Sequence, residues 1–387
     1  MSQVFPTYAR WDITPDKGEG SWLTATDGTT YLDFTSGIGV TSLGHRHPKV
    51  EQAIIVQLKK YYHTSNLFQQ PNQEVLADQL TKVTGLGAVF FANSGAEANE
   101  AAIKLAKKAT GKNKIVTCNG SFHGRTYATM GATGQEKVRA GYGPMLSTFE
   151  YIDYNDVEQL QETVDGETAA IMIEIIQGEG GINPITESFV DKIKEVSEKT
   201  GALIIVDEIQ TGIGRTGKVF AYQHYGLQPD IVTAAKGLGN GLPIGAMLGK
   251  KELVEYFGPG SHGSTFGGNP LSTAAALAVV EEVFQEAFLQ EVTAKGELLK
   301  EKLIEKLEGK TVVKDVRAIG LMVGLDLVDE VKAGTVIAEL QKNQLLVLPA
   351  GQNVIRLLPP LTVTEEELLL GIEKIISILN KQVTTAE

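Results

Sequence analysis

The sequence predicts an α/β fold in which a mostly parallel sheet, flanked by helices, is joined to a smaller α+β domain. Three observations predict it. The short runs "AVFFA", "KIVTC", "AAIMIEII" and "ALIIVDE" are apolar without alternation, as strands buried on both faces are. Helical patterns such as "EANEAAIKLAKKAT" and "SFVDKIKEVSEKT" separate those runs, which is the rhythm of strand–helix–strand units. After about residue 272 the pattern changes to long amphipathic helices ("LSTAAALAVVEEVF", "GELLKEKLIEKLEG") and then to alternating strands around a tight turn at "PAGQN".

Taken in order, residues 1–45 ("GSWLTATDGTTYLDF" within them) read as a small strand pair that belongs with the second domain. Residues 46–272 form the large domain. It opens with "PKVEQAIIVQLKKYYH", where Pro48 suits a first helical turn and Val50, Ile54, Leu58 and Tyr61 share one face. Residues 273–387 form the small domain, closed by "TEEELLLGIEKIISIL", in which Thr364 and Glu367 have capping-box spacing.

The 387-residue chain carries a formal charge of -12, which disfavours nucleic acid or an anionic membrane as partner because repulsion replaces counterion release. Its single cysteine, Cys118, excludes an intrachain disulfide and a cysteine-rich metal site, and fits a buried strand position in a reducing compartment. The amino terminus lacks the features of a signal peptide, and no apolar run reaches the roughly 20 residues a membrane helix needs. A cytoplasmic protein is expected. No metal site is expected either: His45 and His47 of "GHRH" have no carboxylate or thiol nearby in sequence, and His63, His224 and His262 stand alone.

Several stretches invite a chemical reading. "VDEIQTGIGRTGKV" spells G-x-G-x-x-G and most of a Walker loop, but Val219 stands where magnesium needs Ser or Thr, and "VFAYQHYG" is no helix for a dinucleotide loop to open. "FFANSGAEANEAAIKLAKK" runs a strand through Ser94, Gly95 and Ala96 into a helix, which is either a phosphate cradle or a plain turn with Ser94 as N-cap. "IIVDEIQ" sets Asp207 at the carboxyl end of a buried strand, where open α/β sheets collect ligands, though an N-cap is the common use of such an aspartate. "SFHGRT" supplies an aromatic ring, Phe122, beside a cation, Arg125. "AAKGLGNGLPIG" places one amine, Lys236, among glycines after the strand-like "PDIVTA". A phosphate cradle, a carboxylate, a flat ring and a lysine at the strand ends of one sheet are together what pyridoxal phosphate requires.

The segments "NSGAEANEAAIKLA", "FHGRT", "QGEGG", "VDEIQTGIGRTGK", "AAKGLGNGLPIGA", "STFGGNP" and "RLLPPLT" resemble, in order and spacing, the class III (ω-amino-acid) aminotransferases among the fold-type I pyridoxal-phosphate enzymes. The resemblance runs from about Thr7 to Thr362. It implies that Lys236 links covalently to the cofactor and that Asp207 pairs with the pyridine nitrogen. It further implies that Gln210 meets the ring hydroxyl, that Phe122 stacks on the ring, and that Ser94, Gly95 and Ala96 hold the phosphate. Thr265 would help from the neighbouring subunit and Ser264 would reach the substrate, which makes a homodimer with shared sites. Arg125 would grip the carboxylate distant from the reacting amine, Arg356 the one beside it, and Glu179 would neutralise Arg356 when no such carboxylate is present.

On substrate, ornithine δ-aminotransferases carry tyrosine where this chain has Ile38, so the resemblance favours a donor whose α-nitrogen is acylated; GABA aminotransferases share the isoleucine. "FHGRT" and the short amino terminus are similar to the branch that moves the δ-amino group of N2-acetylornithine to 2-oxoglutarate, giving glutamate. Donors of related enzymes are N-succinylornithine, N-succinyldiaminopimelate, ornithine and GABA, and a glutamate-1-semialdehyde-type aminomutase shares the fold. Two departures from the family pattern stand out: Ile175 and Ile176 replace a Pro-Ile pair, and Asn240 interrupts a glycine run.

Overall fold

The computed structural model describes residues 3–383. Its centre is a seven-stranded sheet with the spatial order Ala88–Ala92, Gly245–Gly249, Ile231–Ala234, Leu203–Asp207, Thr168–Ile173, Lys114–Cys118, Phe149–Ile152. Only Gly245–Gly249 runs against its neighbours. The apolar runs read from the sequence are these strands; the inner ones lie buried because helices cover both faces of the sheet, and the edge strand Ala88–Ala92 is half-buried over its first three residues. "AAIMIEII" is the exception in detail: the strand stops at Ile173, and Glu174 turns the chain into the short strand Ile176–Gln177.

Helices Gly95–Thr110, Glu187–Thr200 and Pro270–Val283 appear where their patterns place them. The helix that opens at Pro48 ends at Leu58, shorter than expected, and Leu58 and Tyr61 are exposed. The periodicity there reports a face suited to burial that this chain alone does not cover.

A second core gathers Leu303, Leu325, Val336, Ile355 and Ile372 with Leu32 and Phe34 from the amino-terminal stretch. It packs the antiparallel strands Val313–Ile319, Met322–Leu327, Val354–Leu357 and Leu348–Ala350 against helices Glu286–Leu307 and Glu365–Val383. The expected amino-terminal strand pair is larger in fact. Pro15–Glu19, Trp22–Ala25 and Thr30–Asp33 form a sheet completed by Leu345–Leu346, which pairs in parallel with Thr30–Asp33. The Thr364–Glu367 box forms reciprocally (2.9 and 3.2 Å), and Glu367 also accepts from Ser21 Oγ and Trp22 Nε1, tying that sheet to the last helix.

The glycine loop of "GIGRTG" is buried between the two cores. Arg215 is fully buried and its Nη1 donates to the carbonyls of Leu321 (3.0 Å) and Pro359 (2.6 Å), so the loop fastens one core to the other and holds no nucleotide. Burial pulls the Arg215 pKa down to about 9. His45, expected to lack a carboxylate, lies 2.9 Å from Asp33 Oδ2, a pairing across the amino-terminal sheet that linear spacing does not reveal. Among the described residues no cluster of side chains could hold a metal, and no helix is long and apolar enough to cross a membrane.

Candidate active site

A cavity of about 440 Å³ opens at the carboxyl ends of the parallel strands, where open α/β sheets gather their ligands. Strand Leu203–Asp207 delivers Asp207 to its floor, almost fully buried. One oxygen, Oδ2, accepts from Asn99 Nδ2 and from His123 Nδ1, both at 2.8 Å, and Oδ1 accepts the Ile209 amide at 3.0 Å. Asn99 is fixed in turn, because its Oδ1 accepts from Thr233 Oγ1 (2.7 Å) and its Nδ2 also donates to the His123 carbonyl (2.8 Å). Burial pulls the His123 pKa down, but the hydrogen bond to Asp207 and the charges of Asp207 and Glu174 outweigh it, so the imidazole is held above its ordinary value. A carboxylate so braced keeps one orientation towards the cavity.

Lys236 follows strand Ile231–Ala234 and begins a short 3₁₀ turn, with a left-handed φ of 43°. Burial first, and then the nearby Arg356 cation, pull its pKa down to about 8 against the opposing pull of Glu179, Asp207 and Glu174. An amine so placed spends an appreciable fraction of its time neutral, as a nucleophile or base must.

Helix Gly95–Thr110 starts at the cavity wall. Ser94 caps it by accepting from the Glu97 amide (3.1 Å), which leaves the amides of Gly95 and Ala96 ahead of the first intrahelical bond, at the positive end of the dipole. Only glycine fits at 95, since a Cβ there would stand 2.6 Å from the Ile209 side chain. Ser94 is therefore the N-cap, and the amides of Gly95 and Ala96 stand where an anion site at a helix start needs its donors.

Arg356, 2% exposed, does not line the cavity itself but contacts two residues that do: its Nη1 donates to Glu179 Oε1 (2.7 Å) and Gln210 Oε1 (3.0 Å), and also to the Gly178 carbonyl (3.1 Å). Its Nε is buried without a hydrogen-bond partner. Burial pushes the Glu179 carboxyl up, and Arg356, seconded by Lys236 and Lys137, more than offsets this and holds it below its ordinary value. Arg125 is exposed at the rim, its guanidinium carbon 5.6 Å from the centroid of the Phe122 ring. Phe122, Arg125, Glu179, Gln210 and Ser94–Ala96 all line the cavity with Asp207 and Lys236.

Four expected site residues lie off it: Arg356, which meets it through Glu179 and Gln210, and Ile38, Ser264 and Thr265. Ile38 is 45% exposed in a left-handed stretch and its neighbour Val40 lines the wall instead. Thr265 is exposed, and Ser264 Oγ accepts from Asn93 Nδ2 (2.9 Å) and from the Gly267 amide (2.9 Å) rather than facing the cavity of its own chain.

Sequence reasoning missed Asn99, His123 and Glu174. Glu174 is buried on the cavity wall, accepts from the Phe122 amide (3.0 Å), and is pushed up to about 7 by burial. Asn99 had a signal, being the polar member of the buried stripe Asn99, Ala102, Ile103 and Ala106. Glu174 had a weaker one, a carboxylate ending the apolar run "AAIMI". His123 had none beyond its place between Phe122 and Gly124.

The chain matches the class-III aminotransferase family over residues 6–379. It is 56% identical to the acetylornithine aminotransferase of Halalkalibacterium halodurans over 98% of this chain and 99% of that one. Among solved structures, the N-acetylornithine aminotransferase of Stenotrophomonas maltophilia superposes with a TM-score of 0.85 at 34% identity, over 98% of each chain. An ornithine aminotransferase of Toxoplasma gondii, described with pyridoxal phosphate at its active site, gives a TM-score of 0.94 at 31% identity, over 98% of this chain and 93% of that one. The cavity suits that cofactor: free amides at a helix start match a phosphate, the buried and braced carboxylate of Asp207 matches a protonated ring nitrogen, and a lysine with a lowered pKa matches an aldehyde. By sequence, fold and donor set alike, the chain belongs to the class-III aminotransferases and is a pyridoxal-phosphate-dependent transaminase.

Proposed function

We propose that this enzyme moves the δ-amino group of N2-acetyl-L-ornithine to 2-oxoglutarate, giving N-acetyl-L-glutamate 5-semialdehyde and L-glutamate, a step of arginine biosynthesis. The observation that carries the reading is the Arg356–Glu179 pair at 2.7 Å, whose Glu179 lines the cavity together with Lys236. A buried arginine that can exchange an internal carboxylate for an external one accepts glutamate, which has a carboxylate beside its reacting amine, and equally a donor that has none. The donor is supported by relatives named acetylornithine aminotransferases at 48–56% identity, against about 30% for the ornithine aminotransferases of similar fold.

Pyridoxal phosphate, when bound, supplies an aldehyde that condenses with amines and a ring that takes up the electron pair left when a carbon-bound proton departs. Ser94, Gly95 and Ala96 would hold its phosphate, with Thr265 of a second copy; Phe122 would lie on its ring, Gln210 would meet the ring hydroxyl and Asp207 would hold the ring nitrogen protonated. The neutral Nζ of Lys236 would take the proton from the substrate carbon that bears the nitrogen and deliver it to the carbon on the other side of that nitrogen. Arg125, at the rim, grips the distant carboxylate of donor and acceptor alike. Arg356 engages the near carboxylate of glutamate and 2-oxoglutarate, and Glu179 returns to it when the donor occupies the site. Ile38, lacking a hydroxyl, suits an acylated α-nitrogen, and Ser264 of a second copy reaches the substrate.

The homodimer this requires is supported by apolar side chains exposed near the cavity: Tyr62, Leu67 (94% exposed), Phe68 and Phe266. A reducing cytoplasm is supported by the free, buried Cys118. The division into 1–45 with 273–387 and 46–272 is proposed on the two cores and on the pairing of Thr30–Asp33 with Leu345–Leu346.

The test mixes holoenzyme with one donor at a time and follows conversion of the cofactor to its amine form. N-acetylornithine and glutamate should both convert it, and Lys236→Ala should lose the covalent linkage. Faster conversion by free ornithine or GABA would overturn the donor assignment.

A further inference from the structure

The turn that carries Lys236 has a left-handed residue at each end: Lys236 (φ 43°), whose side chain disfavours that conformation, and Asn240 (φ 42°), of a residue type that tolerates it. Something outside the turn must hold it. Both halves of the Asn240 amide are used on one stretch of backbone: Oδ1 accepts from the Leu43 amide (2.7 Å) and Nδ2 donates to the Gly44 carbonyl (3.2 Å). Between them, Gly237 lies so close to the same stretch that a Cβ there would stand 2.5 Å from Ser42 Oγ.

That stretch, residues 34–44, is fastened on its other side to the strand of Arg356. The Leu358 amide donates to the Phe34 carbonyl (2.8 Å), Ser36 Oγ donates to the Leu358 carbonyl (2.6 Å), and the Leu361 amide donates to the Ser42 carbonyl (2.7 Å). Val40, between these bonds, lines the cavity. Residues 34–44 thus form a strap from the reactive amine to the carboxylate-binding arginine, and Asn240 is its polar fastening at the lysine end.

We propose that Asn240 is a positioning residue: by clamping Leu43 and Gly44 it holds the strained turn that aims Lys236 into the cavity, and it joins that turn to the strap leading to Arg356. The inference rests on the proposed role of Lys236 and extends it to a side chain that never touches substrate.

Asn240→Gly tests this, because glycine accepts the left-handed conformation and removes only the two bonds. In the holoenzyme, exchange of the Leu43 amide should quicken about tenfold, the equivalent of one lost hydrogen bond. The single-donor half-reaction should slow about tenfold or more while the half-saturating donor concentration changes less than about twofold, since aim is lost and binding is kept. Asn240→Asp, which retains an acceptor for Leu43, should recover most of the rate. A third readout needs no turnover: in the cofactor-free chain, acetic anhydride should label Lys236 at a rate altered by Asn240→Gly and restored by Asn240→Asp. Faster Leu43 exchange with unchanged half-reaction and labelling rates would reduce Asn240 to a structural clip and overturn the proposal, as would unchanged exchange. If wild-type holoenzyme transferred no amino group, the proposed function would fail, and the labelling comparison would still decide on Asn240.

Discussion

Glu179→Gln separates the two half-reactions. Arg356 is buried, Glu179 is about one-third exposed, and the two meet at 2.7 Å. Charges about 4 Å apart at an effective dielectric near 20 attract by roughly 4 kcal/mol, and the exposure of Glu179 and the desolvation of both groups remove much of that. Glutamine keeps the acceptor oxygen and loses the charge, so the change is that between a charge-assisted and a neutral hydrogen bond, about 1–2 kcal/mol. On the proposed exchange, glutamate and 2-oxoglutarate displace residue 179 from Arg356, and a weaker competitor should improve their kcat/KM about tenfold. N-acetylornithine brings no carboxylate to that end and faces an arginine no longer neutralised, so its kcat/KM should fall about tenfold. The two values move in opposite directions and their ratio shifts by about a hundredfold towards glutamate, measured by stopped-flow on each substrate alone with the holoenzyme. Equal changes in both half-reactions would refute the exchange of partners at Arg356.

Lys236 in the cofactor-free chain should react with acetic anhydride along a titration curve centred near pH 8, and a midpoint above 10 would contradict the burial argument. The same shift has a signed effect on stability. Between about 8 and 10.5 the unfolded chain binds the proton that the folded amine has released, so stability rises with pH through that window, by roughly 3 kcal/mol from this group. Arg215→Ala opens a cavity and leaves the Leu321 and Pro359 carbonyls unpaired, at a cost of about 4 kcal/mol, seen by calorimetry as a Tm lower by about 5 °C. Arg215→Met should lose less, since it fills the space and removes a buried cation; the reverse order would contradict that account.

What the sequence made legible follows from the range of the forces involved. Strands such as Leu203–Asp207 announce themselves because burial on both faces removes polar residues from consecutive positions. The Thr364–Glu367 box was legible because its partners sit three residues apart. The bracing of Asp207 was not: Asn99 and His123 lie 108 and 84 residues away, and neither spacing carries a signal. The Pro48–Leu58 helix shows the opposite limit, since its period was readable beyond Leu58 and the surface that would bury Leu58 and Tyr61 belongs to no residue of the described chain. Asn240 combines both cases. It stood out as a break in a glycine run, and its purpose lay 196 and 197 residues away at Gly44 and Leu43.

The charge pattern of the cavity explains why a switchable partner for Arg356 is worth having at all. Arg356 lowers the Lys236 pKa and Glu179 raises it, so the availability of the neutral amine depends on whether Arg356 has an anion beside it. On the proposed exchange of partners, that anion is the substrate carboxylate with glutamate bound and Glu179 with the donor bound. Each half-reaction would then present Lys236 with one neutralised arginine. A fixed salt bridge would exclude the dicarboxylate, and a bare arginine would depress the amine further and repel a cationic donor. Glu179, the partner in that exchange, is one-third exposed and reaches Arg356 from the chain segment after Ile176–Gln177, whereas the guanidinium is carried by a buried strand.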